Sequence, residues 1–208
     1  MTQPDATERD FPIHTAASAP EGSQEPLAWY LDTFGMVPNL AAVLAESPAL
    51  LTSYWQTQNN LLADAALTRQ EINIVQTSVA HANACQYCVA GHTALRKMEI
   101  FDNTDEQLVA VRQDKPFDDP KLDALRDFAL LVLRNQGRMA SSQLQAFLEA
   151  GYSRRAALDV VACIAAKVMT NYANQIALTP VDDAFAPFAS DLPYREDRTV
   201  RTGTIAAE

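Results

Sequence analysis

The amino-acid sequence predicts an all-α fold. Only six of its 208 residues are glycine, and its long stretches rich in Ala, Leu, Gln, Glu and Arg lack the apolar–polar alternation of β-strands. Ser, Thr or Asp precedes several apolar-periodic stretches and Gly follows several of them, as is typical of helix starts and helix ends. Hydrophobic residues make up 48% of the chain, which is enough apolar surface for the core of one large domain.

Five helices are predicted in the first half of the chain. Gly35 follows the first apolar-periodic stretch, at the position of a left-handed C-terminal cap. Ser47 and Pro48 are a typical N-cap and first helical residue, and Thr68 and Glu71 have the spacing of a capping box. We expect helices at residues 25–34, 38–46, 48–62, 68–82 and 85–98.

Four more helices are predicted in the second half. Gly137 and Gly151 have the positions of C-terminal caps, and Pro180 prevents the last helix from extending far beyond residue 176. Each half contains a long helix, a short connection and an Ala-rich apolar helix, a pattern compatible with a duplicated helical unit. We expect helices at residues 104–113, 119–135, 141–150 and 153–176.

The helical pattern is confined to residues 21–189, which we interpret as one domain. Residues 1–20 and 190–208 lack apolar periodicity and are predicted to form an N-terminal arm and a C-terminal tail. The first residues contain neither the basic nor the apolar segment of a signal peptide, and no apolar run approaches the roughly 18 residues of a membrane helix. We therefore expect a cytoplasmic protein with no membrane attachment.

The charge of the chain argues against one class of partner. With 26 acidic and 16 basic residues, the net charge is −10. No cluster of Lys and Arg is long enough to neutralise a run of phosphates, so we expect no nucleic-acid binding and no attraction to anionic membranes. Neither of the nucleotide-binding loop patterns GxGxxG and GxxxxGK is present, so we expect no bound nucleotide. If the chain takes part in redox chemistry, its electrons are expected to come from a partner.

Cys85, Cys88 and His92 form a Cys-x-x-Cys-x-x-x-His motif at the predicted start of a helix. At roughly 100° per residue, the three side chains point the same way, which brings two thiols and an imidazole together. The unpaired N–H groups and the dipole of a helix N-terminus lower a cysteine pKa, so we expect a reactive thiolate. A thiolate that attacks a peroxide becomes a sulfenic acid, which a second thiol converts to a disulfide. An external dithiol must then restore the pair.

The segment ACQYCVAGH, preceded by a helix that opens with LTRQEI and ends with HAN, resembles the AhpD-like and carboxymuconolactone decarboxylase superfamily, specifically its longer peroxidase-related branch. The segments FPIHTAASAP, FGMVPNLAAVLAESPALL and NYANQIALTPVDDAFAPFA resemble the same branch, so the resemblance covers most of residues 11–189. It implies an AhpD-like helical fold and a thiol-dependent hydroperoxidase of organic hydroperoxides or hydrogen peroxide. It also implies a dithiol or lipoyl-type protein reductant, a homo-oligomer (dimer, trimer or hexamer) and no organic cofactor.

The resemblance assigns the attack on peroxide to Cys88 and disulfide formation to Cys85, although the helix-terminus argument alone favours Cys85 as the attacking thiol. His92, four residues after Cys88, is expected to assist proton transfer. The relay glutamate of the family, twelve residues before the first cysteine, is replaced by Asn73, which cannot act as a base. Glu71 differs from Asn73 by about 200° in helical phase, so it is either a displaced catalytic carboxylate or, as we favour, a helix cap.

Other polar residues near the motif have two interpretations each. His81 either assists proton transfer or is a structural histidine, which is the more frequent role of such a residue. Asn171, Tyr172, Asn174 and Gln175 close a helix that begins with apolar residues. They either face the active site or lie in solvent at the helix end.

Alternative functions remain open at this point. The cysteine pair also suits a thiol-disulfide oxidoreductase, and the replacement of the relay glutamate by Asn73 also suits a non-catalytic redox sensor or scaffold. A zinc site would need four ligands, but His14, His81 and Cys163 have no familiar ligand spacing, so we expect no metal. A decarboxylase-like relative is disfavoured because that branch of the family typically lacks the cysteine pair.

Overall fold

A computed structural model describes residues 11–189, and nine α-helices without any strand make up this part of the chain. The all-α prediction is therefore confirmed. A 3₁₀ helix, Ala186–Phe188, follows the last α-helix. The helices are α1 (Glu21–Phe34), α2 (Asn39–Leu44), α3 (Pro48–Asp64), α4 (Arg69–Ala82), α5 (Gln86–Lys97), α6 (Asp105–Arg112), α7 (Pro120–Asn135), α8 (Ser141–Glu149) and α9 (Arg154–Ala177).

Most helix ends lie within two residues of the predicted ones, and the main exceptions have local causes. Helix α1 begins four residues earlier than expected, because Pro26 lies inside the helix rather than near its start. Gly35 is the expected left-handed cap, with φ 70° and its N–H donating to the Leu31 carbonyl. At the end of α7, Gln136 takes the left-handed cap position that we predicted for Gly137, which follows it and also has positive φ.

Helix α4 lies at the centre of the domain, where it packs against α5, α6, α7 and α9. The predicted capping box at its start is present. The Thr68 hydroxyl accepts from the Glu71 N–H at 3.1 Å, and the Glu71 carboxylate accepts from the Thr68 N–H at 2.8 Å. These two bonds satisfy donors that the first turn of a helix otherwise leaves unpaired. The cap thus fixes the start of the helix on which the others are assembled.

The main hydrophobic core lies between α4, α7, α8 and α9. Phe128, Phe147 and Tyr152 stack in succession, with ring centroids 4.0 Å and 4.6 Å apart. Cys163 is fully buried in the same cluster, where it acts as a small hydrophobic side chain, and burial raises its pKa to about 12. Cys163 is therefore a core residue rather than a reactive thiol.

A second cluster joins α1, α2 and α3 to α9, and the end of the predicted N-terminal arm packs on it. Residues 11–20 contain no helix, but Ala19 is buried and the His14 N–H donates to the Ala42 carbonyl at 3.2 Å. Residues 1–10 of the arm and the predicted C-terminal tail, 190–208, lie outside the described residues.

Helix α9 is long and apolar enough, by length and composition alone, to cross a membrane. It instead packs against α2, α3, α4, α5 and α7, as the core helix of a globular domain does. Its inward face is not uniformly apolar, because it carries Lys167, Thr170, Asn171 and Asn174, all buried. Polar groups buried at this depth need partners. Thr170 donates to the Ala166 carbonyl within α9, whereas the other three side chains contact residues of the motif.

Removing the cap of α4 should destabilise the whole domain. We expect Thr68→Ala to lower the free energy of unfolding by about 1 kcal/mol, because the Glu71 N–H loses its acceptor. Urea denaturation measures the difference. Thr57→Ala is the matched control, since the Thr57 hydroxyl only donates to the Ser53 carbonyl within α3. An equal loss in both variants would mean that the capping box contributes nothing specific.

Candidate active site

The turn between α4 and α5 positions the first cysteine. Ala84 adopts the left-handed conformation, with φ 55°, and the Cys85 N–H donates to the Ala80 carbonyl at 2.9 Å. Cys85 is the N-cap of α5, with extended backbone, whereas the sequence placed it inside the helix. Its side chain therefore does not follow helical phase, and Cys88 occupies the third helical position. The expectation that both thiols meet still holds, because Cys85 forms a side-chain hydrogen bond to Cys88.

Two amides from α9 complete the surroundings of the sulfur atoms. Asn171 Nδ2 and Asn174 Nδ2 lie 3.0 Å and 3.2 Å from Cys88 Sγ, and Asn174 Nδ2 lies 3.7 Å from Cys85 Sγ. Both cysteines are free thiols and almost fully buried, with 2% and 3% of their surface exposed. Amide N–H groups donate to sulfur, so this arrangement favours a negative charge on Cys88.

The two cysteines have opposite pKa shifts. Burial raises the pKa of Cys88, but the hydrogen bond from Cys85, the charge of Lys167 and the two asparagine amides more than offset burial and lower it to about 6. The pKa of Cys85 is raised well above its usual range, first by its hydrogen bond to Cys88 and then by burial. At neutral pH the pair therefore consists of a Cys88 thiolate and a Cys85 thiol that donates to it.

His92 is held by one partner at each ring nitrogen. Nδ1 lies 2.7 Å from Asn73 Oδ1, and Nε2 lies 2.9 Å from Lys167 Nζ. An ammonium can only donate, so Nε2 accepts and Nδ1 carries the proton that is donated to Asn73. Burial and the nearby Lys167 charge both lower the pKa of His92, which keeps the ring neutral. Asn73 in turn donates to Asn103 Oδ1 at 2.6 Å, which fixes the amide orientation.

This geometry changes the role that the sequence suggested for His92. The motif spacing predicted that the imidazole would take the proton of Cys88, but its two nitrogens contact Asn73 and Lys167. Asn73, the residue at the position of the expected relay glutamate, contacts His92 Nδ1 through Oδ1. The sequence analysis did not identify Lys167 as a partner of His92. This lysine is 1% exposed. A single lysine within the apolar segment LDVVACIAAKVM was the sequence signal that could have revealed it.

A small apolar cavity opens onto these groups. Its volume is about 90 Å³, and Cys88, His92 and Lys167 supply its polar wall. Taking one water to occupy roughly 10–15 Å³ by this measure, the cavity has room for about six to nine heavy atoms. The rest of the lining is mainly aromatic and aliphatic: Trp29, Tyr30, Phe34, Pro38, Leu40, Ala41, Tyr54, Gln58, Leu62, Tyr87, Gly91, Leu95, Ile100, Phe101 and Phe185.

Tyr87, inside the motif, forms hydrogen bonds that hold the segment after α9 against the site. Its hydroxyl donates to Asp182 Oδ2 at 2.5 Å and accepts from the Leu40 N–H at 2.9 Å. Asp182 also accepts from the Asn39 N–H at 2.9 Å. Phe185 packs in one cluster with Tyr87 and both cysteines. The sequence analysis did not identify Asp182, which lies 95 residues from Tyr87 in the chain.

The other candidate residues lie away from the sulfur atoms. Glu71 caps α4 and forms an ion pair with Lys121 at 3.1 Å, so the structure supports its interpretation as a cap. His81 lies 3.6 Å from Asp114 and lines a separate polar cavity of about 630 Å³. Tyr172 lines that same cavity, and Gln175 donates to the Ala84 carbonyl at 3.2 Å. Neither thiol lines this larger cavity.

The sequence matches one family profile, that of the carboxymuconolactone decarboxylase family, over residues 48–118. This range includes both cysteines and His92 but ends before Lys167 and the two asparagines of α9. A search of curated proteins gave no significant match.

Solved structures share the fold over most of the chain. An uncharacterised peroxidase-related protein from Ralstonia eutropha JMP134, described as an alkylhydroperoxidase AhpD core, is 25% identical, with a TM-score of 0.75 over 84% of this chain and 93% of its own. A peroxidase-related protein from Silicibacter sp. TM1040 is 20% identical, with a TM-score of 0.71 over 89% of this chain and 97% of its own. The debrominase Bmp8, as a cysteine-to-alanine variant with 2,3,4-tribromopyrrole, is 16% identical, with a TM-score of 0.66 over 86% and 94%.

The family match and the shared fold are consistent with each other. The family match over residues 48–118 and the fold shared with solved peroxidase-related structures both support the resemblance to the AhpD-like carboxymuconolactone decarboxylase superfamily that the motif carries.

The lowered pKa of Cys88 gives a pH-dependent reactivity. We expect iodoacetamide to label Cys88 at neutral pH and labelling to fall as the pH drops through about 6, because the thiolate is then protonated. An unperturbed cysteine would lose reactivity already below about 8.5. Mass spectrometry of the Cys88 peptide measures the rate.

The amides of α9 are tested in the same assay. Asn171→Leu removes one donor to Cys88 Sγ and should move the midpoint of labelling to higher pH. Asn60→Leu, at an exposed position on α3, is the matched control and should leave the midpoint unchanged. A midpoint near 8.5 in the unmodified protein would contradict the thiolate assignment.

Proposed function

We propose that this protein is a thiol-dependent hydroperoxidase that reduces small organic hydroperoxides or hydrogen peroxide. The observation that supports this most directly is the state of the cysteine pair. A thiol with lowered pKa lines an apolar cavity, and a second thiol donates a hydrogen bond to it. A nucleophile, a resolving group and a substrate-sized space thus occur together.

In the proposed cycle, the Cys88 thiolate attacks the terminal oxygen of the hydroperoxide. The S–O bond forms as the O–O bond breaks, which yields a Cys88 sulfenic acid and an alcohol. The Cys85 thiol then displaces the hydroxyl from the Cys88 sulfur, giving a Cys85–Cys88 disulfide and water. An external dithiol or lipoyl-type protein reduces the disulfide by exchange and restores both thiols.

The size and lining of the cavity define the substrate class. Its volume of about 90 Å³ is well below the 300–1,000 Å³ typical of sites for drug-sized ligands. Apart from Cys88, His92 and Lys167, its walls are mostly apolar, which suits an alkyl group of a few carbon atoms. We therefore propose that tert-butyl hydroperoxide is a better probe than the larger cumene hydroperoxide.

We further propose that the protein acts as a cytoplasmic homo-oligomer. Leu158, Val161, Tyr172 and Ile176 are exposed along the outer face of α9, at spacings that keep them on one side of the helix. Continuous apolar faces of this kind support association between copies of a chain. The net charge of −10 favours neither nucleic acid nor anionic membranes as a partner.

A second candidate is reductive dehalogenation of small aromatic compounds. Seven aromatic side chains line the cavity beside Cys88, and the fold is shared with a debrominase at 16% identity. The Cys88 thiolate would take the halogen, so that an S–halogen bond forms as the C–halogen bond breaks and the ring carbon takes up a proton. Cys85 would then displace halide from the Cys88 sulfur to form the disulfide. Release of bromide from 2,3,4-tribromopyrrole, in the absence of any thiol loss with hydroperoxides, would favour this function instead.

One stoichiometric experiment tests the peroxidase proposal. Free thiols are titrated before and after one equivalent of tert-butyl hydroperoxide, and mass spectrometry locates any disulfide. We expect loss of two thiols joined as Cys85–Cys88, while Cys163 stays reduced.

Three variants assign the roles in this reaction. Cys88→Ser should consume no peroxide, and Cys85→Ser should stop at a Cys88 sulfenic acid that dimedone traps. Cys163→Ser is the control and should behave as the unmodified protein. Unchanged thiols in the unmodified protein would reject the peroxidase function, and sulfenic acid on Cys85 in the Cys88→Ser variant would reverse the two roles.

A further inference from the structure

Lys167 is a buried lysine that pairs with no carboxylate in the described part of the chain. Only 1% of its surface is exposed, yet it forms no ion pair with any Asp or Glu among residues 11–189. A buried ammonium without a counter-charge is strongly unfavourable. The charge that compensates it within this part of the chain is the Cys88 thiolate, whose pKa Lys167 lowers.

The position of Lys167 also brings it to the substrate. It lines the apolar cavity together with Cys88 and His92, so a molecule in the cavity meets all three groups. One N–H of the ammonium is donated to His92 Nε2 at 2.9 Å. An ammonium has three donors, so two more remain besides the one given to His92.

His92 and Asn73 are unsuited to supply a proton in this arrangement. The Nδ1–H of His92 is donated to Asn73 Oδ1, and Nε2 is occupied as an acceptor. Asn73 stands where the family has its relay glutamate, and an amide does not titrate. Of these three residues, Lys167 is the one whose ammonium group carries an acidic proton at the cavity.

We propose that Lys167 is the general acid of the reaction, which donates its proton to the departing alkoxide oxygen when Cys88 attacks the hydroperoxide. This inference rests on the peroxidase function proposed above and adds the group that takes over the task of the missing glutamate. His92 is a positioning residue, which orients the ammonium through Nε2 while Asn73 and Asn103 fix the ring.

The step balances without any further reactant. The Cys88 thiolate and ROOH give Cys88–SOH and RO⁻, and RO⁻ takes a proton from the Lys167 ammonium to give ROH and a neutral amine. The thiolate and the ammonium are lost together, so no uncompensated charge is left in the buried site. Disulfide formation then consumes the Cys85 thiol hydrogen and the sulfenic hydroxyl as water.

The choice of oxidant separates proton donation from other roles of Lys167. With tert-butyl hydroperoxide the leaving group is an alkoxide, which needs a proton. With peracetic acid at neutral pH the leaving group is acetate, which departs as a stable anion. The ratio of the two oxidation rates of Cys88 does not depend on how much thiolate is present, because both reactions consume the same thiolate.

Two substitutions are compared in this assay. Lys167→Met removes the charge and the proton, and Lys167→Arg keeps the charge but replaces the ammonium by a guanidinium that does not release its proton. Lys115→Met, at an exposed position, is the matched control. Circular dichroism and the rate of iodoacetamide labelling of Cys88 report folding and thiolate content separately from peroxide chemistry.

We expect both Lys167 variants to slow oxidation by tert-butyl hydroperoxide roughly 100-fold or more relative to oxidation by peracetic acid, the range typical of lost general acid catalysis. Lys167→Arg should retain most of the iodoacetamide reactivity, whereas Lys167→Met should lose part of it. Equal slowing with both oxidants would overturn the proposal and leave Lys167 only a charge that stabilises the thiolate. Failure of the unmodified protein to react with tert-butyl hydroperoxide would instead reject the peroxidase function itself.

If one Lys167 variant does not fold, the other still tests the proposal, because its ratio of Cys88 oxidation by tert-butyl hydroperoxide to that by peracetic acid can be measured alone. If neither folds, the solvent isotope effect on the unmodified protein decides. Proton transfer from the ammonium predicts a larger effect with tert-butyl hydroperoxide than with peracetic acid, and equal effects would overturn the proposal.

Discussion

Residues 71–80 of helix α4 are all buried, yet this stretch carries a row of polar side chains, most of which are paired inside the protein. Glu71, Asn73, Gln76, Thr77 and Ser78 are all buried. A buried polar group without a partner costs about 1–3 kcal/mol, so these residues restrict how the neighbouring helices can be placed. Gln76 pairs with Gln58 of α3 at 2.8 Å, and Asn73 links His92 of α5 to Asn103 before α6.

The same constraint builds the reaction site. Because Asn73 holds His92 at one nitrogen, the other nitrogen is directed at α9, where it meets Lys167. Asn171 and Asn174 lie one turn and two turns further along α9, so the same face of that helix reaches the Cys88 sulfur. Neutral amides stabilise a thiolate without adding a charge, so the site as a whole remains close to neutral. Neutrality is what allows charged groups to stay in an interior of low polarity.

Much of this could be predicted from the sequence because the signals are local. Helix periodicity, the Thr68–Glu71 capping box and the spacing of Cys85, Cys88 and His92 all lie within a few residues of the structure they determine. The extended backbone of Cys85 was not predicted, because its position as N-cap depends on the turn at Ala84 rather than on a residue pattern.

The groups that tune the thiols could not be predicted in the same way. Lys167 and Asn174 come from a helix that is 75 and 86 residues distant from their partners His92 and Cys88. Nothing in a single sequence states which turn of α9 faces α5, since that is decided by how the two helices cross. For this reason the sequence left open whether the polar residues near the end of α9 face the active site or solvent. In the structure, Asn171 and Asn174 lie at the Cys88 sulfur, whereas Tyr172 is exposed.

Tyr87, Asp182 and Phe185 cover the two cysteines. Oxidation and reduction of the cysteines in the proposed cycle therefore need different amounts of space at the site. In the proposed cycle, a small oxidant would reach Cys88 through the existing cavity, whereas a protein dithiol would need the segment that follows α9 to move before it could contact either sulfur. The size of the electron donor, rather than that of the oxidant, would then determine whether this segment has to move.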